Sequence, residues 1–189
     1  MKTLFPILFF LLTGMGAAAQ RNMKEITQLV SLKSGLSKQA VADSLKNIKP
    51  LSILSDRTMG NKTVITCRLA KSEAMGGREA MIYLTFLNGL LSDGYLQATF
   101  KRADFYDLED NFKWIRTYLN ENWEKEKEKK TASANLVSTG YEYSKAKHDF
   151  QKNANINLQY IYSKPGKGEG VYMLRLGWIS SIPAENILY

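Results

Sequence analysis

Cysteine and histidine are scarce in this sequence: each occurs once in 189 residues, as Cys67 and His148. A single cysteine excludes an intramolecular disulfide, so the fold has to rest on its apolar core. Cys67 lies in the apolar-rich run Thr63–Leu69, which predicts a buried structural thiol. A zinc site of the Cys/His type has too few ligands here. We therefore expect no metal and no cofactor.

Long hydrophobic runs are also missing after the first residues of the chain. Lys2 precedes the apolar stretch Leu4–Leu12, and the small residues Ala17–Ala19 follow, which is the layout of a secretory signal peptide. The apolar stretch is about half of the ~20 residues that a membrane-spanning helix needs. We expect cleavage after residues 1–19, with Gln20 first. The mature protein is then predicted to be secreted or periplasmic, without a transmembrane segment.

Acidic residues are the minority charge, with 18 Asp and Glu against 26 Lys and Arg and a formal net charge of +8. A basic exported protein is attracted to an acidic protein or an anionic polymer of the cell envelope. The basic residues form no stripe, which argues against nucleic-acid binding. The densest charged run, Glu124–Lys130, alternates in sign and predicts a solvated helix end.

Residues 20–102 are predicted to form two short helices followed by four strands. Met23–Lys33 carries apolar residues on one helical face, Gly35 suits a helix stop, and Ser37 suits the N-cap of a second helix. Asn88-Gly89 favours a type I′ hairpin turn, since both residues tolerate positive φ. The four β-rich runs are Leu51–Ser55, Lys62–Ala70, Ala80–Leu87 and Leu90–Lys101, with Asp56–Asn61 as a loop.

Residues 103–189 are predicted to form one long helix followed by three strands. Asp104 is the expected N-cap of the helix. Its apolar seam has spacings of three and four and consists of Phe105, Leu108, Phe112, Ile115 and Leu119. The strands are Asn135–Tyr143, Asn155–Ser163 and Gly170–Ser180. The whole is an α+β protein whose antiparallel sheets carry helices on one face, in the order ααββββ-α-βββ, with both units packed into one globular body.

The segment Leu32–Val41 resembles a motif of the SmpA/OmlA-type small lipoproteins of the outer-membrane barrel-assembly machinery. In that family a helix ends at Gly, and a hydrophobic residue and Ser or Thr precede a Val-bearing helix, as do Gly35, Leu36, Ser37 and Val41 here. The resemblance covers about residues 23–101. It implies a helix–helix–sheet unit, which the β-lactamase inhibitor proteins carry in tandem as a concave sheet that grips a partner enzyme. It also implies a structural role in envelope assembly.

Two sets of polar residues would suit a secreted hydrolase. His148 stands beside Asp149, although no Gly-x-Ser-x-Gly elbow accompanies them. The second set is an acidic group that would suit glycoside hydrolysis or cation binding, namely Asp104, Asp107, Glu109 and Asp110. All four lie at the start of the long helix, where carboxylates also stabilise free backbone amides. Our interpretation assigns no catalytic residue.

Aromatic residues alternate along the last three strands. If exposed, they would form a binding surface, because aromatic side chains offer a large contact area with a polar tip. The alternative is that they fill the core beneath the long helix. On the first interpretation the protein is a non-catalytic binding protein that recognises a protein or polymer through a sheet face. Its candidate contact residues are Tyr141, Tyr143, Tyr160, Tyr162 and Trp178.

Overall fold

Three α-helices and eight β-strands occur in the residues that the structure, a computed structural model, describes: 24–48, 51–133, 135–147, 155–163 and 170–178. The helices are α1 (Lys24–Val30), α2 (Lys38–Leu45) and α3 (Phe105–Asn122). The strands are β1 (Leu51–Met59), β2 (Lys62–Ser72), β3 (Arg78–Leu87), β4 (Leu90–Phe100), β5 (Trp123–Ala132), β6 (Leu136–Ala146), β7 (Ile156–Ser163) and β8 (Val171–Trp178). The predicted signal peptide, residues 1–19, lies outside the described residues.

All eight strands belong to one antiparallel sheet, in the order β1-β2-β3-β4-β8-β7-β6-β5. Strands β1–β4 form the first half of the sheet, and β5–β8 form the second. The halves meet at the centre, where β4 pairs with β8 from Gly94 opposite Trp178 to Phe100 opposite Tyr172. The predicted α+β class with an antiparallel sheet is confirmed.

The charged run Glu124–Lys130 is part of strand β5, and the prediction that it is a helix end is wrong. Helix α3 ends at Asn122, and the next residue, Trp123, is already extended, with φ −131° and ψ 155°. The new strand pairs with β6 along its length. Intrinsic helix preference is a weak contribution that pairing with a neighbouring strand overrides. The element order is therefore ααββββ-α-ββββ, one strand longer than predicted.

The turn between α1 and α2 follows its sequence signals. Gly35 has φ +84°, a left-handed conformation that glycine adopts without a steric penalty. The Ser37 hydroxyl accepts a hydrogen bond from the Ala40 amide at 3.2 Å, which confirms the predicted N-cap. Backbone bonds from the Gly35 amide to the Leu91 carbonyl and from the Leu91 amide to the Leu36 carbonyl fasten this turn to β4.

The first two hairpins show one confirmed and one corrected prediction. Asn88 and Gly89 have φ of 52° and 78°, as a turn between β3 and β4 with two left-handed residues requires. The loop predicted over Asp56–Asn61 is much shorter, because β1 continues to Met59. Gly60, with φ +62°, supplies the tight turn that makes the longer strands possible.

One hydrophobic core lies between the sheet and the three helices of the described chain. Alternate side chains of each central strand enter it, as period-2 patterning requires. On β3 these are Ile82, Leu84 and Phe86, and on α3 they are Leu108, Phe112, Ile115 and Leu119. The helices of the two halves also meet, since the hydroxyls of Thr27 and Tyr118 lie 2.8 Å apart. The predicted packing of helices on one face of the sheet is thus observed.

Candidate binding surface

Three of the five predicted contact residues lie in the core rather than on a surface. Tyr141, Tyr143 and Trp178 are buried in the hydrophobic core. Tyr143 donates a hydrogen bond to the side-chain oxygen of Asn120 at 3.1 Å, and burial raises the pKa of its hydroxyl to about 12. Of the two interpretations that the sequence left open, burial in the core applies to these three side chains, and they are therefore not contact residues. The apolar side of α3 packs against large side chains of the sheet.

Tyr160 and Tyr162 point to the same helix-bearing face and are half-buried. Tyr160 meets Phe112 edge-on, with ring centroids 5.3 Å apart. Tyr162 stacks on Tyr172 at 4.7 Å. Both contacts are favourable aromatic geometries that support α3 from below. The predicted aromatic set is therefore found together, but on the covered side of the sheet.

The acidic residues at the start of α3 are engaged in ion pairs. The Arg78 guanidinium donates to Asp104 at 3.2 Å and to Asp107 at 2.5 Å. Asp104 occupies the N-cap position without making a side-chain cap hydrogen bond, so its carboxylate serves Arg78 instead. Glu109 lies 4.0 Å from Lys113 on the same helix. His148 and Asp149 lie outside the described residues. Within those residues no three His, Cys, Asp or Glu side chains cluster as metal ligands.

The opposite face of the sheet carries a different aromatic pair. Tyr83 on β3 and Tyr95 on β4 are direct cross-strand partners. Their rings are stacked, with centroids 4.6 Å apart and planes inclined by 20°. Both side chains are half-exposed, since their neighbours on the same strands take the core positions. No helix of the described chain packs on this side, and we call it the open face.

Arg175 on β8 lies beside this pair, across the β4–β8 pairing at the centre of the sheet. Its guanidinium lies over the Tyr95 ring, 4.4 Å from the centroid. Two of its N–H groups donate to the side-chain oxygen of Gln97, at 2.7 and 3.0 Å. An arginine held between an aromatic ring and an amide is already ordered, so little side-chain entropy is lost when a partner binds it. Tyr83, Tyr95, Gln97 and Arg175 together form what we call the tyrosine–arginine platform.

Polar groups flank the platform. Burial raises the pKa of Asp93, although the Gly94 amide and the charges of Arg175 and Lys62 oppose that effect. On the other side Asn157 is the strand neighbour of Gly177, which in turn is opposite Tyr95. The Asn157 side-chain oxygen is buried and has no hydrogen-bond partner in the described chain. Gly177 leaves room beside Tyr95, since the nearest atoms to a Cβ there would be 3.8 Å away.

Part of the platform was visible in the sequence. The alternation of Tyr83 with Ile82 and Leu84 predicts one packed face and one face toward water. What the pattern omits is the pairing of β4 with β8, which brings Arg175 to Tyr95. That contact joins strands from the two halves of the chain, and local periodicity contains no information on it.

No protein-family model matches this chain, and no curated protein matches it. The resemblance of Leu32–Val41 to the SmpA/OmlA-type lipoproteins therefore stays a prediction, as does export. In the described part of the chain, none of the helices combines the length and the apolar character required to cross a bilayer.

Proposed function

We propose that this is an exported, non-catalytic binding protein that recognises a protein partner through the open face of its sheet. The observation that carries the proposal is the tyrosine–arginine platform at the centre of that face. Tyrosine and arginine are among the residues that dominate binding energy at protein interfaces. The stack of Tyr83, Tyr95 and Arg175 presents both types in a fixed arrangement.

The position of the platform also favours binding over catalysis. A broad sheet surface suits contact with another macromolecule, whose interface covers about 800 Å² on each partner. After loss of Lys2 with the signal peptide, 25 basic and 18 acidic residues leave a net charge of +7, which steers acidic partners toward the molecule. Two of the four carboxylates that would support the hydrolase alternative, Asp104 and Asp107, are paired with Arg78. An anionic polymer is the alternative partner that the experiment distinguishes.

The experiment places a photo-crosslinking amino acid at Tyr83 and, as a matched control, at Tyr106. Tyr106 is 82% exposed on α3, on the helix side of the molecule. After illumination of the source cells, we expect a discrete protein adduct from position 83 and none from position 106. Equal labelling from both positions, or a polymer smear from position 83, would contradict recognition of a protein by the open face.

Affinity for the crosslinked partner then measures the contribution of the platform. Tyr83→Ala should weaken binding about 30-fold, the effect of losing one aromatic hot spot of ~2 kcal/mol. Tyr106→Ala should leave the affinity unchanged. Thermal unfolding of Tyr106→Ala should match that of the parent, and Tyr83→Ala should lose only the ~1 kcal/mol of its cross-strand stack on Tyr95, so both variants stay folded at the temperature of the binding assay. An unchanged affinity in Tyr83→Ala would exclude the platform as the binding site.

A further inference from the structure

A cavity of about 460 Å³ lies on the other side of the sheet, between α2 and strands β1–β3. Its interior is almost entirely aliphatic, with walls that include Val41, Leu45, Ile65, Leu84, Phe86 and the thiol of Cys67. Small-molecule sites in proteins occupy ~300–1,000 Å³ and are lined mainly by apolar groups. The volume and the lining both fall within that description.

The polar groups of this cavity are confined to its rim. Lys38, Lys46 and Asp56 are the charged residues among its lining. Lys38 is paired with Asp56, and Lys46 with Asp43, in ion pairs whose side chains are 42–70% exposed. Exposed pairs of this kind contribute only ~0–1 kcal/mol, so a ligand anion can replace one of the carboxylates at little cost.

The rim also carries apolar surface that is left in water. Ile53 on β1 lines the cavity, yet its side chain is 67% exposed. Ala42 on α2 also lines the cavity, and it is a small, exposed residue. An aliphatic interior, an apolar lip and two lysines at the entrance are complementary to an amphiphile with one anionic end.

We propose that this cavity binds a single acyl chain whose anionic head group lies against Lys38 and Lys46. The interior offers no buried hydrogen-bonding side chain that would orient a polar or heteroaromatic ligand, since its only polar atom besides backbone is the weakly bonding Cys67 sulfur. An unbranched chain needs no such partner and transfers ~0.8 kcal/mol for each methylene that it buries. The site is separate from the tyrosine–arginine platform, which lies on the opposite face.

The chain can come from a free fatty acid or from a lysophospholipid, and direct titration distinguishes the two. The purified protein is titrated with a dansyl-labelled undecanoic acid, and oleate, oleyl alcohol and lysophosphatidylglycerol are compared as competitors. We expect saturable one-site binding, with oleate displacing the probe more effectively than the uncharged alcohol. Stronger displacement by oleate assigns a fatty acid, and stronger displacement by the lysolipid assigns a phospholipid. Absence of saturable binding would overturn the proposal.

A matched pair of variants locates the site. Ala42→Phe places a ring in the entrance and should weaken probe binding about tenfold or more, since the bound chain and the ring need the same space. Ala40→Phe makes the same substitution on the same helix at a residue that does not line the cavity, and should leave binding unchanged. The circular-dichroism melts of the two variants confirm that α2 stays folded. Equal binding by both would place the ligand elsewhere.

Cys67 provides a second readout that does not depend on a substitution. It is the only cysteine of the chain and lines the cavity. Burial raises the pKa of its thiol to about 11, so a mercurial reagent is preferable to one that needs the thiolate. Saturating oleate should slow the reaction of Cys67 several-fold. An unchanged rate would contradict occupation of this cavity.

Discussion

The two halves of the sheet cover their core face in different ways. The first half uses two short helices, and a cavity remains between α2 and the strands below it. The second half uses the single long helix α3, whose seam packs onto a floor of large aromatic residues. A long helix and large aromatic side chains fill the space above the strands, whereas a two-turn helix covers only part of the sheet. Four strands are thus covered by two short helices in one half and by a single long helix in the other.

The edge strands of the two halves also differ in the apolar surface that they expose. The edge strand β5 is lined by lysine and glutamate, with Lys129 paired to Glu142 on β6. Charged side chains on an edge oppose unwanted strand pairing. The edge strand β1 exposes Ile53 and Leu54, at 67% and 55%. The first half therefore exposes apolar side chains at its edge, beside its cavity, whereas the edge strand of the second half carries charged side chains.

The largest expected effect on stability comes from making the same Leu→Ala substitution in the helices that cover the two halves. Leu119→Ala on α3 removes a side chain packed on all sides and should lower the free energy of unfolding by about 4 kcal/mol. Leu45→Ala on α2 should cost about 2 kcal/mol, because Leu45 already borders the cavity and loses fewer contacts. Urea denaturation of both variants measures the difference. Equal losses of unfolding free energy would show that α2 and α3 pack equally well on the sheet.

Substitutions of two glycines test the β4–β8 pairing that joins the two halves. Gly94 lies opposite Trp178 on the core side, and a Cβ there would come within 2.8 Å of the indole ring. Gly94→Ala should cost about 2 kcal/mol through overpacking. Gly177→Ala changes the neighbouring position on the open face, where the nearest atom is 3.8 Å away, and should stay within about 0.5 kcal/mol.

Thermal unfolding of Gly94→Ala also tests whether the halves unfold together. A single transition displaced to lower temperature is expected, since β4 and β8 belong to one sheet. Two separate transitions would show that the halves unfold independently, and the comparison between them would then extend to their stabilities.

The smallest expected effect is on the pH dependence of the unfolding free energy, which we assign to buried carboxyl groups in the first half. Burial raises the pKa of Glu25 on α1 above 4.5, although hydrogen bonds from Ser72 and the Glu73 amide oppose it. Between 4.5 and the raised value the folded state binds more protons than the unfolded state, so the free energy of unfolding falls as pH rises through that interval. Glu25→Gln should flatten this slope.

Asp93 provides the matched test of the same prediction. Its pKa is also raised by burial, so Asp93→Asn should flatten the slope as well, and the double variant should have the flattest profile. Denaturation measured from pH 4 to pH 7 provides the comparison. A slope unchanged in all three variants would contradict the assignment.

Features set by neighbouring residues could be predicted from the sequence. The Ser37 cap, the left-handed Gly35 and the Asn88-Gly89 turn each depend on a few adjacent residues, and all three are observed. The alternation of β3 likewise separates a core face from a face toward water. These features are local because each is decided by the φ preferences or side chains of a single short segment.

Features set by pairing across the chain could not be predicted. Strand β5 looks helical because lysine and glutamate are good helix formers, and only its ladder with β6 makes it extended. The same-parity positions of Tyr141 and Tyr143 require a shared face, but which face carries α3 is decided by tertiary packing. The contact between Arg175 and Tyr95 depends on the register of β4 with β8.

The central position of β8 has a consequence for how the molecule is made. The chain emerges from the ribosome with β1–β4 first, and β4 stays an unpaired edge until residues 171–178 have followed. An incomplete chain therefore exposes a long hydrogen-bonding edge, which invites aggregation during synthesis or export. Pairing between strands so distant along the chain is also slow. Until β8 has left the ribosome, the two halves of the nascent chain lack the strand pairing that joins them.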